Sequence, residues 1–234
     1  MTNTVLNLPP SVQERLTGWV RIQERRAKGP ARTQGGPTIT LSRQFGCEAF
    51  PVSLRLQALL NGPGGEEWQI LDKSLLEQVA ADEGIPMRLL SHLEDASRIL
   101  EGFGFHPAGE FTHDEAFGKV ADALVRVARQ GHAIIVGQGG ALLCRDLANC
   151  FHFRLEAQES WRVATLARHS GISQAEAEHR LRAESRRRER FIQDNLGTSP
   201  ADLRLYDAVF NNERHSVEQI AAAIAAYVRS AWKG

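Results

Sequence analysis

Three groups of residues in the chain are of types that handle phosphate. The first is the turn Phe45-Gly46-Cys47-Glu48-Ala49-Phe50. It follows three β-formers, Ile39, Thr40 and Leu41, and precedes a helical pattern that starts at Pro51, a residue suited to a first helical position. Val52, Leu56, Leu59 and Leu60 recur there at three-to-four residue spacing and form one apolar face. A strand, a tight turn and a buried helix make the frame of a phosphate-binding loop, in which backbone N–H groups wrap an anion and a lysine reaches it. This turn holds one glycine and no lysine. The second group is the run from Arg180 to Arg190, with six arginines. The planar guanidinium fork suits phosphate oxygens. The third is a set of polar and small residues at predicted strand ends: Arg43, Asp72, Gly137 and Gln138.

Each group also has a plainer reading. A strand-to-helix connection accounts for the turn, although a helix N-terminus still offers free N–H groups and a partial positive charge to an anion such as sulfate. Asp72 ends a predicted strand, where an acid is often an ordinary cap. Arg182, Arg186 and Arg190 share one helical face, and Glu184 with Arg188 makes a favourable pair. Such a face is either simply solvated or a lid that closes over phosphates. A nucleic-acid surface is not expected, because no aromatic residues interleave with the basic ones. Cys47 at a helix start is expected to have a lowered thiol pKa, with a small residue filling a tight turn as the plainer account. His106 and His113 flank a glycine-rich loop without the carboxylates of a metal site.

The elements that must position these residues alternate along the chain. Strands are expected at 38–43, 68–71, 132–137, 150–155 and 206–210, with helices between them. That alternation predicts a doubly wound parallel α/β sheet, the first strand near its centre and ligands beyond the C-terminal strand ends. Residues 1–37 read as an arm, a helix from Ser11 to about Lys28 and a linker; 38–234 form the main domain. The first helix covers this domain or pairs two copies as a homodimer. The 28 basic and 28 acidic residues cancel, so no global field points to nucleic acid or membrane. No apolar run is long enough to span a bilayer, and the first residues lack the pattern of a secretory signal. Cys47, Cys144 and Cys150 are an odd number without metal spacing, which fits a reducing cytoplasm.

Several stretches resemble the bacterial cytidylate kinase-like proteins, a branch of the P-loop nucleoside-monophosphate kinases. ITLSRQFG (39–46) resembles their opening strand and loop entry, and LDKSLLEQVA (71–80) their second strand and helix. AIIVGQGGALL (133–143) is similar to their strand and glycine turn, and LYDAVFNNE (205–213) to their last strand. The helices around Trp161-Arg162 and around Arg187 and Arg188 resemble their lid. The resemblance implies transfer of the ATP γ-phosphoryl, with Mg²⁺, to a nucleotide or another small acceptor. It implies a donor loop of Arg43, Gly46, Cys47, Glu48, Ala49 and Phe50, acceptor contacts from Asp72 and Gln138, and charge stabilisation by Arg162, Arg187 and Arg188.

The departures fall on the chemistry. The relatives continue Gly-Ser-Gly-Gly after the aromatic residue, whereas here Cys47 replaces the serine and Glu48 and Ala49 replace glycines. Gln138 stands where the family has arginine. Catalysis is therefore expected to be impaired; the alternative is a pseudo-kinase that binds or regulates without turnover or cofactor. Glu48 is expected to weaken ATP binding. Two unit charges about 5 Å apart repel by roughly 3 kcal/mol at an effective dielectric of about 20, and exposure cuts this to about 1 kcal/mol or less. On that basis Glu48→Gly and Glu48→Gln should both tighten ATP, with Gly ahead. The 168–190 segment is expected to be mobile and to close only on an anion.

Overall fold

The computed structural model describes residues 35–62, 67–72, 113–137 and 139–233. Among these, strands and helices alternate: β1 (Thr38–Arg43), α1 (Ala49–Leu60), β2 (Gln69–Leu71), α2 (His113–Gln130), β3 (Ala133–Val136), α3 (Gly140–Leu143), β4 (Cys150–Glu156), α4 (Glu159–Ser170), α5 (Gln174–Leu196), β5 (Ala208–Asn211) and α6 (Val217–Ala231). The five strands form one sheet in the order β2-β3-β1-β4-β5. Every pairing is parallel. The sheet matches the expectation in strand positions, direction and the central place of β1. The expected N-terminal helix, the segments from 73 to 112 with His106, and Gln138 lie outside the described residues.

Parallel neighbours need crossover connections, and the helices supply them by covering both faces. On one face Ile39, Leu41, Ile134, Val136, Phe153 and Leu155 form a core with α1 and α6. Val52 and Leu56 of α1, and Ile220, Ile224 and Val228 of α6, are fully or almost fully buried there. On the other face Leu71, Ala133 and Ile135 pack with Leu124, Val127 and Ala128 of α2. β3 contributes to both cores, which explains its unbroken apolar sequence. α1 starts two residues before Pro51, with Glu48 as its N-cap. The proline therefore sits within the first turn, where its missing N–H removes no internal helix bond.

Local chemistry sets the other helix ends. α4 stops at Gly171, which has φ +64°. Two residues later the Ser173 side chain accepts from the Glu176 amide and starts α5, so the two helices form a tight hairpin. Ser216 and Gln219 close a reciprocal capping box at the start of α6.

The second face of the sheet is polar along β1 and β4. Thr38 Oγ1 donates to the Ala128 carbonyl at 2.8 Å. Thr40 Oγ1 and His152 Nδ1 are hydrogen-bonded at 2.7 Å. The His152 amide donates to Asp207 Oδ2 at 2.6 Å. Burial lowers the His152 pKa below its ordinary value of 6.5, against an opposing pull from Asp207. The unfolded chain therefore takes up this proton first as pH falls. The contribution of neutral His152 is complete above the ordinary value and is lost as pH drops from there to the folded value. We expect the wild-type melting temperature to fall more steeply than that of His152→Gln between pH 7 and pH 5, followed by circular dichroism; parallel curves would assign the acid sensitivity to other groups.

Candidate phosphate-binding site

A cavity of about 460 Å³ lies among residues from the C-terminal ends of β1, β3 and β4 and from the α4–α5 hairpin. Open parallel sheets collect ligands at such edges. Ser42 and Arg43 come from the end of β1, Gly137 follows β3, and Arg154 and Glu156 occupy alternate positions of β4. α5 contributes Leu181, Ser185, Arg188 and Ile192, a helical stripe, with Arg182 and Arg186 beside it. Six arginines line the space (Arg43, Arg154, Arg162, Arg182, Arg186 and Arg188) against three acids, Glu156, Glu159 and Glu189. An excess of three positive charges at a strand-end cavity favours an anion.

These arginines are held in different ways. Arg154 is buried and donates through Nε to Glu156 Oε1 at 2.7 Å. Its guanidinium also lies 5.5 Å from the Tyr206 ring centroid. The Tyr206 hydroxyl in turn donates to the Pro200 carbonyl at 2.9 Å. Arg162 donates through Nε to the Ala157 carbonyl at 3.0 Å and through Nη1 to the Phe45 carbonyl at 3.1 Å. Arg188 stacks over the Phe45 ring at 4.8 Å, a cation–π contact. Arg182 joins the two helices of the hairpin by pairing with Glu159 at 3.3 Å, and it reaches Glu178 at 2.5 Å. Arg187 does not line the cavity; it pairs with Glu184 at 2.6 Å.

The turn itself is closed up. Gly46 has φ +92°, and a Cβ there would stand 2.8 Å from Arg162 Cβ, so a side chain is excluded twice over. The Cys47 amide donates to the Gln44 carbonyl at 3.2 Å. The Glu48 amide donates to Asn212 Oδ1 at 2.7 Å. Cys47, Glu48, Ala49 and Phe50 are not among the residues that line the cavity. Ala49 belongs to the core, and Cys47 and Phe50 pack against it. Asp72 follows the edge strand β2, half-buried and away from the cavity lining.

One expectation changes here. Burial pushes the Cys47 thiol up to about 11 despite the nearby Arg162 and Arg154, so the helix-start effect does not make it reactive. The Glu48 carboxylate faces Arg168 at 3.5 Å and His169 at 3.2 Å. A cation thus stands beside the carboxylate that is expected to repel ATP phosphates. Arg154, Glu156 and Glu159 were not foreseen as lining residues. The available signal was the pair of charges at alternate positions within the apolar strand FHFRLE. Among the described residues no group of three or more histidines, cysteines or carboxylates is placed to hold a metal ion.

Gly46→Ala should cost about 1–3 kcal/mol through backbone strain and the clash with α4. For a domain of this size each kcal/mol lowers the melting temperature by about 2–4 °C. A thermal melt that matches wild type would show that the turn can move off Arg162.

No curated protein matches the chain. Among solved structures the chain is similar to an uncharacterized protein from Eubacterium ventriosum, with a TM-score of 0.62 and 16% identity over 83% of this chain and 98% of that one. TT1252 from Thermus thermophilus aligns over 84% of this chain and 98% of that one at 18% identity, with a TM-score of 0.44. The first of these likenesses shows a shared fold. A family model described as cytidylate kinase-like matches residues 38–214, which takes in all five strands and the α4–α5 hairpin. By that match, the chain belongs to the cytidylate kinase-like family.

Proposed function

We propose that the chain binds a nucleotide or another small phosphorylated ligand in the arginine-lined cavity, and that ATP-dependent phosphoryl transfer to a nucleoside monophosphate or other small acceptor is impaired. The observation that carries this reading is the excess of guanidinium over carboxylate at the strand ends, six to three. Phosphoryl transfer needs mainly positioning and neutralisation of charge. Arg162 and Arg188 are suited to both, because each is held against Phe45. Arg162 uses two of its five N–H donors on the Ala157 and Phe45 carbonyls, which leaves others of its fork for a phosphate oxygen.

The impairment is read from the turn. Its Cys47 and Glu48 amides are spent on protein oxygens, and no lysine stands in it. Within the cavity, Glu156 is engaged by Arg154 and Glu159 by Arg182. The described residues thus fit ATP phosphates better than they fit a separate magnesium site, and Mg²⁺ would arrive on the nucleotide. The same turn contacts favour a second reading, a pseudo-kinase that binds such a ligand as a regulatory module without turnover. No helix among the described residues is long and apolar enough to cross a membrane.

Calorimetric titration with MgATP, CMP and pyrophosphate tests the site. Arg186→Ala and Arg188→Ala should each weaken binding by about tenfold, the effect of losing a charge-assisted hydrogen bond. Absence of binding by all three ligands to the wild-type chain would discard the reading. Binding without ADP release in the presence of an acceptor would select the pseudo-kinase.

A further inference from the structure

The amino end of α1 is the place where a strand, turn and helix in this order gather an anion. In this chain an internal group already occupies it. Asn212 follows β5, and its Oδ1 accepts the Glu48 N–H at 2.7 Å. Only an oxygen can accept there, so the orientation of the carboxamide is set. Asn212 is 2% exposed. Its own backbone amide donates to the Glu156 carbonyl at 2.8 Å. Its Nδ2 is buried and has no hydrogen-bond partner among the described residues. A buried amide donor left unmade is costly, so the residue is fixed by its Oδ1 and its backbone rather than by a fully satisfied side chain. Two neighbouring groups are also taken. The Cys47 amide is on Gln44, and the Glu48 carboxylate is on Arg168 and His169.

We infer that Asn212 is a built-in stand-in for a ligand oxygen: an autoinhibitory contact that closes the α1 end to phosphate and confines anions to the arginine cavity. The inference rests on the proposed binding of phosphorylated ligands in that cavity and adds how the site is restricted. Glu156 connects the two places. Its carbonyl holds the Asn212 amide, and its carboxylate holds Arg154 at the cavity. A phosphate reaches the Glu48 N–H only by displacing the Asn212 carboxamide.

Pyrophosphate without metal is the probe, titrated into the full chain. Asn212→Ala removes the competing oxygen and should tighten pyrophosphate by about tenfold, as one charge-assisted N–H contact is gained. Asn212→Asp retains the oxygen, adds a charge and should bind no better than wild type. Equal affinity of Asn212→Ala and wild type overturns the inference. Arg186→Ala, run alongside, reports on the cavity separately. If it weakens binding while Asn212→Ala does nothing, the cavity reading stands and only the stand-in falls. If no protein of the set binds pyrophosphate, both fall. A second readout needs no variant: in ¹⁵N spectra of the wild-type chain, the Glu48 amide signal should stay in place as pyrophosphate saturates the arginines. Movement of that signal would show the anion at α1 and overturn the proposal even where Asn212→Ala does not fold.

Discussion

Arg162 fixes the distance between the turn and the α4–α5 hairpin. It reaches from α4 to the Phe45 carbonyl, and at the same place the α4 backbone leaves no room for a side chain on residue 46. The hydrogen bond and the missing Cβ are one constraint seen from two sides. A longer contact would lose the carbonyl, and a bulkier residue would push α4 away. The end of β1 and the length of α5 both line the cavity beside this contact.

Charge in the cavity is managed by pairing rather than by dispersal. Arg154 is nearly inaccessible and has Glu156 beside it, as a buried cation requires. Arg182 has two carboxylates, one from each helix of the hairpin. Exposed pairs of this kind contribute little to stability. They do relieve the mutual repulsion of the α5 arginines when no phosphate is near. The buried Arg154 is thereby compensated, and the cavity lining still carries more arginines than carboxylates.

Much of the fold was legible in the sequence because its signals are local. The apolar run of β3, the serines before α5 and α6 and the glycines after α2 and α4 all act within a few residues. The site was less legible because its contacts join distant positions. The Glu48 amide and Asn212 are 164 residues apart, and Arg162 and Phe45 are 117 apart. Of the residues the sequence points to, Arg162, Arg188 and Arg43 line the cavity, whereas Arg187 and Asp72 do not. Arg187 differs from Arg188 by one step of about 100° around the helix, a rotation that composition cannot resolve without knowing where α5 lies. For Cys47 two local rules competed, and burial outweighed the helix start.

Phe45 is gripped at two points of different chemistry. Its carbonyl is held by α4 through Arg162, and its ring is held by α5 through Arg188. One residue of the turn thus serves as the common footing for both arms of the hairpin. Releasing a single grip leaves the other as a pivot, so small displacements are drawn back. Departure from the sheet requires both to let go together. The turn thereby couples α4 to α5 through one residue, so a change at either contact is felt by the other helix.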